Sequence, residues 1–218
     1  MSGTPPAELL QLAHWRRLTA ELYAEVRRTS AADPAAAWKR FREARDSLFS
    51  SHPQSPLDPG QKARFRTLDF YPYDPRFRLH GRVIPLERAA SLPKNFVERL
   101  AEGTSSYRPF ADVEMDDPTG GGRKPRLTLF WMDGYGGGLF LPFRDATNGS
   151  ATYGGGRYLY DTIKGADLGA GEDGIVLDFN FAYNPSCAYT ARWVCPLPPA
   201  QSSLSFPVEA GERLFRET

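Results

Sequence analysis

Leu12, Trp15, Leu18, Leu22 and Val26 recur at steps of three and four, which places them on one apolar stripe of a helix. Pro5 and Pro6 stand where a helix start tolerates proline. Asp33 and Pro34 open a second helix as cap and first residue; Trp38, Phe41 and Leu48 form its stripe, and Arg45 and Phe49 lie among them. The two helices are expected to pair antiparallel. Asp58 and Gln61, at capping-box spacing, mark a short third helix. After Phe65 the pattern changes. Proline and glycine now punctuate short segments rich in β-branched and aromatic residues. Strands are predicted over 78–86, 107–115, 126–132, 139–143, 152–160, 174–179 and 204–208, and 95–100 reads as either strand or helix. Leu127, Leu129 and Trp131 share one face of their strand, and Thr128, Phe130 and Met132 share the other.

Strands and helices do not alternate, which excludes a doubly wound sheet. The pattern predicts a mainly β, α+β fold. Residues 1–64 form a helical layer, and residues 65–218 an antiparallel β-sandwich or partly open barrel, in one compact unit. Strands apolar on both faces should meet a facing sheet on one side and the helices on the other.

Composition narrows the function classes. The 27 basic and 26 acidic residues are well mixed, so the net charge of +1 gives no polycationic surface for nucleic acid. The basic run from His14 to Arg28 also contains Glu21 and Glu25 and reads as a solvated helix face. No apolar run approaches membrane-spanning length, and the first six residues lack the apolar core of a secretory signal, so the cytoplasm is the expected location. Two cysteines cannot build a disulfide framework.

Candidate chemistry concentrates in residues 174–199. Asp178 and Asn180, two apart on a predicted strand, share a face, while Ile175, Leu177, Phe179 and Phe181 share the other. That polar face would line a cavity, with Asp178 as general base or oxygen ligand; the plainer reading is a buried network that fixes strand register. Cys187 and Cys195 lie eight residues apart. They are the residues to consider for metal, but the two-residue spacing of zinc sites is absent and no metal is expected. Cys187 as a nucleophile needs a pKa-lowering neighbour, and His52 is the histidine available in a loop. The plainer reading makes both thiols small buried hydrophobes. The glycines of 153–158 lack the Lys-Ser/Thr of a phosphate loop and read as turns or as sites of close backbone approach. Arg157, among tyrosines, is a natural partner for Asp178 or for an anion.

His52-Pro-Gln-Ser-Pro-Leu57, Phe70-Tyr-Pro-Tyr-Asp-Pro75, Phe143-Arg-Asp-Ala-Thr147 and Thr152-Tyr-Gly-Gly-Gly-Arg-Tyr158 join the signature from Asp178 to Tyr189, with Cys195-Pro-Leu-Pro-Pro199. Together they resemble the bacterial and archaeal domain of unknown function 1684 family, over nearly the whole chain after residue 10. The resemblance implies no activity and no catalytic residues. The leading expectation is therefore a small-ligand-binding β domain without cofactor, its pocket formed by Tyr153, Arg157, Asp178, Asn180, Tyr183 and Asn184. The alternatives are a hydrolase-like enzyme using Asp178, Cys187 or His52, and an interaction module without a ligand.

Overall fold

Helices α1 (Pro6–Thr29) and α2 (Pro34–Ser51) form where their stripes predict them, in a computed structural model that describes residues 4–86, 107–171 and 174–216. Proline opens each helix, and the Asp33 carboxylate accepts the Ala36 N–H at 2.9 Å as the N-cap of α2. His14, early in α1, meets His52 just beyond α2, while Glu25 pairs with Arg40 at 3.0 Å, so the two helices run antiparallel. Helix α3 (Pro59–Arg64) carries the expected capping box: Asp58 accepts from the Gln61 amide at 2.8 Å, and the Gln61 side chain accepts from the Asp58 amide at 2.9 Å. No helix among the described residues is long and apolar enough to cross a membrane.

Among the described residues seven antiparallel strands follow: β1 (Arg78–Pro85), β2 (Tyr107–Glu114), β3 (Arg126–Met132), β4 (Gly138–Phe143), β5 (Arg157–Asp161), β6 (Ala170–Gly171) and β7 (Gly174–Asp178). They form one sheet in the order β5-β4-β3-β2-β1-β7-β6. The register shifts between Pro109 and Ala111 in β2 and between Leu141 and Pro142 in β4. Prolines cannot donate to a ladder, and bulges of this kind bend the strands that carry them. The sheet curls towards closure: Tyr158 of the edge strand β5 exchanges both backbone hydrogen bonds with Tyr183, in the segment that follows β7, at 2.9 and 3.0 Å. The architecture is a partly open barrel, not a sandwich, because one curled sheet takes the place of two stacked ones.

The faces of β3 separate as the alternation predicts. Leu127 and Leu129 enter the main core with Leu22 and Phe41 of the helices and with Val113 and Phe181; Phe130 and Met132 join Phe140 and Tyr158 in a second cluster. Partly buried Tyr107 and Tyr183 pack on that second cluster where a facing sheet was expected.

Three strand expectations need correction. Residues 204–208 alternate buried and exposed as a strand would, yet no ladder forms there. Pro207 has no N–H to donate, and Val208 bonds side chains instead, its N–H to Asp145 and its carbonyl to Arg157. The strand expected from 152 starts at Arg157, because residues 147–156 are spent in tight turns. Gly156 has φ +90, and a β-carbon there would lie 2.7 Å from both the Phe143 carbonyl and a Pro198 ring carbon, so the close-approach reading holds. β7 ends at Asp178, whose carboxylate captures the Asn180 N–H at 3.1 Å and turns residues 179–181 into a single helical turn. The ambiguous 95–100 segment lies outside the described residues.

Candidate functional site

Arg45 follows Phe41 by four residues and so lies on the buried stripe of α2, where a long charged side chain needs a partner. Glu212 provides it, at 2.9 Å and with only 1% of its side chain exposed. The same carboxylate accepts the Asn184 N–H at 3.2 Å and the Tyr189 hydroxyl. The Arg45 guanidinium also lies over the rings of Phe49 at 5.1 Å and Tyr183 at 5.2 Å. Burial pushes the Glu212 carboxyl above its ordinary value, against the pull of Arg45, Tyr189 and the Asn184 amide. Burial also works against the Arg45 charge, but Glu212, Tyr189, Tyr23 and Tyr183 together more than offset it and the guanidinium stays protonated.

This network forms one wall of a cavity of about 160 Å³ between the helices and the closing edge of the barrel. Helix α1 contributes Leu12, Trp15 and Leu22, and the barrel side contributes Tyr158, Tyr183 and Tyr189. Asp161 and Lys164 pair at 2.9 Å on the same wall, and Arg16 and Trp193 also line it. Two of the lining residues each keep one polar atom that is fully buried and has no partner in the protein: Arg45 Nε, a donor, and Asn184 Oδ1, an acceptor. Asn184 Nδ2 is occupied, donating to the Arg213 carbonyl at 2.7 Å.

The residues expected to share a pocket divide among four places. Tyr183 and Asn184 line the cavity. Arg157 is fully buried, and its partner is Asp145 at 2.9 Å, not Asp178. Its two terminal nitrogens also donate to the carbonyls of Val208, Ala210 and Glu212, while Nε has no partner, so it serves as a bonding partner of a C-terminal segment that has no sheet ladder. Asp178 pairs instead with Arg78 at 2.9 Å, its register partner across β1 and β7. Asn180 donates to Asp178 Oδ1 at 2.9 Å and brackets Asp74, accepting its N–H and donating to its carbonyl, both at 2.9 Å. These two residues therefore join the Tyr71–Pro75 turn to the end of β7. Tyr153 lies elsewhere and donates to Cys187 Sγ at 3.6 Å.

Burial raises the Asp178 carboxyl, while Asn180 and Arg78 pull it back. Removing this carboxylate takes the ion-pair partner from Arg78 and leaves the Asn180 N–H without its acceptor. Because Arg78 keeps 26% of its side chain in solvent, Asp178→Ala should cost about 3 kcal/mol, the low end for a broken buried pair. Asp178→Asn should cost less and leave the cavity intact. Denaturant melts of the two variants check both expectations.

His52 does not meet Cys187 as a base. Its Nδ1 accepts the Gln54 N–H at 3.0 Å, so the neutral ring carries its proton on Nε2 and donates it to His14 Nδ1 at 3.1 Å. The edge of Trp15 packs 5.2 Å away. Burial, His14 and Lys62 together hold the His52 pKa below its ordinary 6.5. A depressed histidine favours the neutral folded form. Its contribution to stability is thus complete above pH 6.5 and lost as pH falls through the lower folded value. The melting temperature should drop across that window, and His52→Gln should flatten the drop.

The thiols are less buried than the small-hydrophobe reading expects. Cys187 and Cys195 are both free and half-buried, and Cys195 also lines the cavity. The Cys187 N–H donates to Cys195 Sγ at 3.3 Å. Among the described residues, no group of three potential metal-binding side chains forms.

The model of a family described only as proteins of unknown function, DUF1684, matches residues 63–213. The chain belongs to this family. No curated protein matches it. Among solved structures, an uncharacterised protein of Haloarcula marismortui determined by solution NMR is similar: 32% identical, with a TM-score of 0.58, over 84% of this chain and 96% of that one. The DUF1684 match contains Tyr183, Asn184, both cysteines and Glu212, whereas Arg45 and Trp15 come from the helices that precede it. The cavity therefore lies where the N-terminal helices meet the segment that the DUF1684 model matches.

Proposed function

We propose that this chain is a small-ligand-binding β domain of the cytoplasm, without nucleic-acid or membrane partners, whose ligand sits beneath α1 and α2 against Tyr183 and Asn184. The observation that carries the reading is the cavity of about 160 Å³ itself, in which an aromatic and aliphatic lining meets the polar residues Arg45 and Asn184. Concave, mainly apolar sites with a few polar groups are the usual form of a small-ligand site.

The raised Glu212 carboxyl supports the same view, because a buried acid held up by desolvation opposes folding at neutral pH and such groups concentrate at sites. A cavity of about 150 Å³ holds a molecule the size of benzene, so the proposed ligand is one ring bearing a carboxamide-like or similar polar edge. With Arg16, Arg45 and Lys164 set against Asp161 and Glu212, the site favours neutral or anionic ligands over cations. Arg157, Asp178 and Asn180 are the frame that holds this wall. A hydrolase using Asp178 is less well supported, since both its oxygens are bonded within the protein and it is fully buried.

Titrating single-ring aromatic carboxamides and carboxylates while following backbone amide NMR shifts tests the proposal. Shifts should cluster at residues 12–22, 45–49 and 183–189. Asn184→Leu should weaken the best binder about tenfold, the worth of one buried hydrogen bond. Shifts scattered over the surface, or an Asn184→Leu protein that binds as well as wild type, would remove the site.

A further inference from the structure

We propose that Cys187 and Cys195 form a reactive dithiol that hydroperoxides oxidise to a disulfide, with Cys187 as the attacking sulfur and Cys195 as the resolving one. The geometry brings together sulfurs eight residues apart in sequence. Pro185 leads into the short helical turn Ser186–Ala188 that presents Cys187, and the chain then folds back so that Cys195 Sγ accepts the Cys187 N–H at 3.3 Å. The returning segment is held from two sides. Tyr158 donates its hydroxyl to the Pro196 carbonyl, and Pro198 packs on the Cβ-free face of Gly156. Tyr153, at the start of that glycine turn, donates to Cys187 Sγ from the opposite side at 3.6 Å.

Each sulfur thus has one donor beside it, the Tyr153 hydroxyl at Cys187 Sγ and the Cys187 N–H at Cys195 Sγ. The S–H of Cys195 and the hydroxyl of Tyr153 lower the Cys187 pKa from 9.0 to about 6, and Lys164 adds a smaller pull against the effect of burial. Cys195 moves the other way, raised by its bond to Cys187 and by burial. This asymmetry gives one thiolate nucleophile beside one protonated thiol, and both are partly open to solvent.

The chemistry balances with a hydroperoxide as oxidant. The Cys187 thiolate attacks the terminal peroxide oxygen, the O–O bond breaks, and the alkoxide leaves and takes a proton from solvent. Cys187 is oxidised by two electrons to the sulfenic acid as the peroxide is reduced to an alcohol. The Cys195 sulfur then attacks Cys187, and its proton leaves with the displaced hydroxide as water. A dithiol reductant returns both sulfurs to the thiol state. At neutral pH the thiolate fraction of Cys187 exceeds that of an ordinary thiol about a hundredfold, while its lower basicity makes each thiolate about twentyfold less nucleophilic. The net expectation is alkylation roughly fivefold faster than an ordinary thiol, with the advantage growing as pH falls. The proposal does not rest on the cavity being occupied.

Treating the full chain with hydrogen peroxide and mapping its peptides provides the test. Wild type should yield one intramolecular Cys187–Cys195 linked peptide. Cys195→Ser should instead trap a sulfenic acid on Cys187, captured by a dimedone probe. The pH midpoint of Cys187 alkylation should lie near 6 in wild type and rise in Tyr153→Phe. Direct passage of Cys187 to the sulfinic acid without a linked peptide, or a disulfide joining two chains, overturns the proposal. So does an alkylation midpoint at the ordinary thiol value. The wild-type measurements decide the matter even if a variant fails to fold.

Discussion

Arg157→Met is expected to lose about 5 kcal/mol of stability, the largest effect of any single substitution considered. Its guanidinium is fully buried, pairs with Asp145, and donates to three carbonyls of residues 208–212. Methionine fills much of the volume but leaves a buried carboxylate and three acceptors without their donor, and removing one partner of a buried pair costs about 3–5 kcal/mol. The C-terminal segment has no strand ladder to hold it otherwise. Loss should therefore appear first as proteolytic sensitivity after Ser203 and then as a lowered denaturation midpoint. A protein that kept its midpoint yet lost ligand would make Arg157 a binding residue, not part of the frame.

Arg45→Met and Glu212→Met should each cost about 4 kcal/mol, because each strands the other's charge inside the protein. The double variant should return to within about 1 kcal/mol of wild type, since replacing a buried ion pair by packed apolar side chains is often neutral or better. It should nonetheless fail to bind ligand. Recovery of stability without recovery of binding separates a site from a structural pair. If the double variant stays as unstable as the singles, the pair is part of the frame and its charge has no other role.

Much of the fold was legible in periodicity. The α1 and α2 stripes, the Asp33 cap and the Asp58–Gln61 capping box depend on neighbours a few residues away, and all stand as expected. Barrel closure was not legible, because it depends on the pairing of Tyr158 with Tyr183 and on bulges at two prolines whose effect on curvature is not local. The site was half legible. Tyr183 and Asn184 were among the residues expected to form a pocket, yet the partners of Asp178 and Arg157 were set by register and by a distant turn. Arg78 is 100 residues from Asp178, and nothing in the local pattern links them. Arg45 was the missed signal. A charged residue four after Phe41 on an apolar stripe implies a buried partner, even though Glu212, in a segment without periodicity, could not be named as that partner.

The central claim is that the cavity beneath α1 and α2 holds a ligand, and blocking it tests this most directly. Thr19 lines the cavity from α1, so Thr19→Trp should fill it while leaving the Arg45–Glu212 wall untouched. Native mass spectrometry of gently purified protein, before and after addition of the best single-ring carboxamide, reads occupancy for both forms. The account predicts stoichiometric binding to wild type and none to Thr19→Trp, with the melting temperature of the variant equal to or above that of the wild type. Equal binding to both proteins, or an empty wild type that takes up no such ligand, would contradict it.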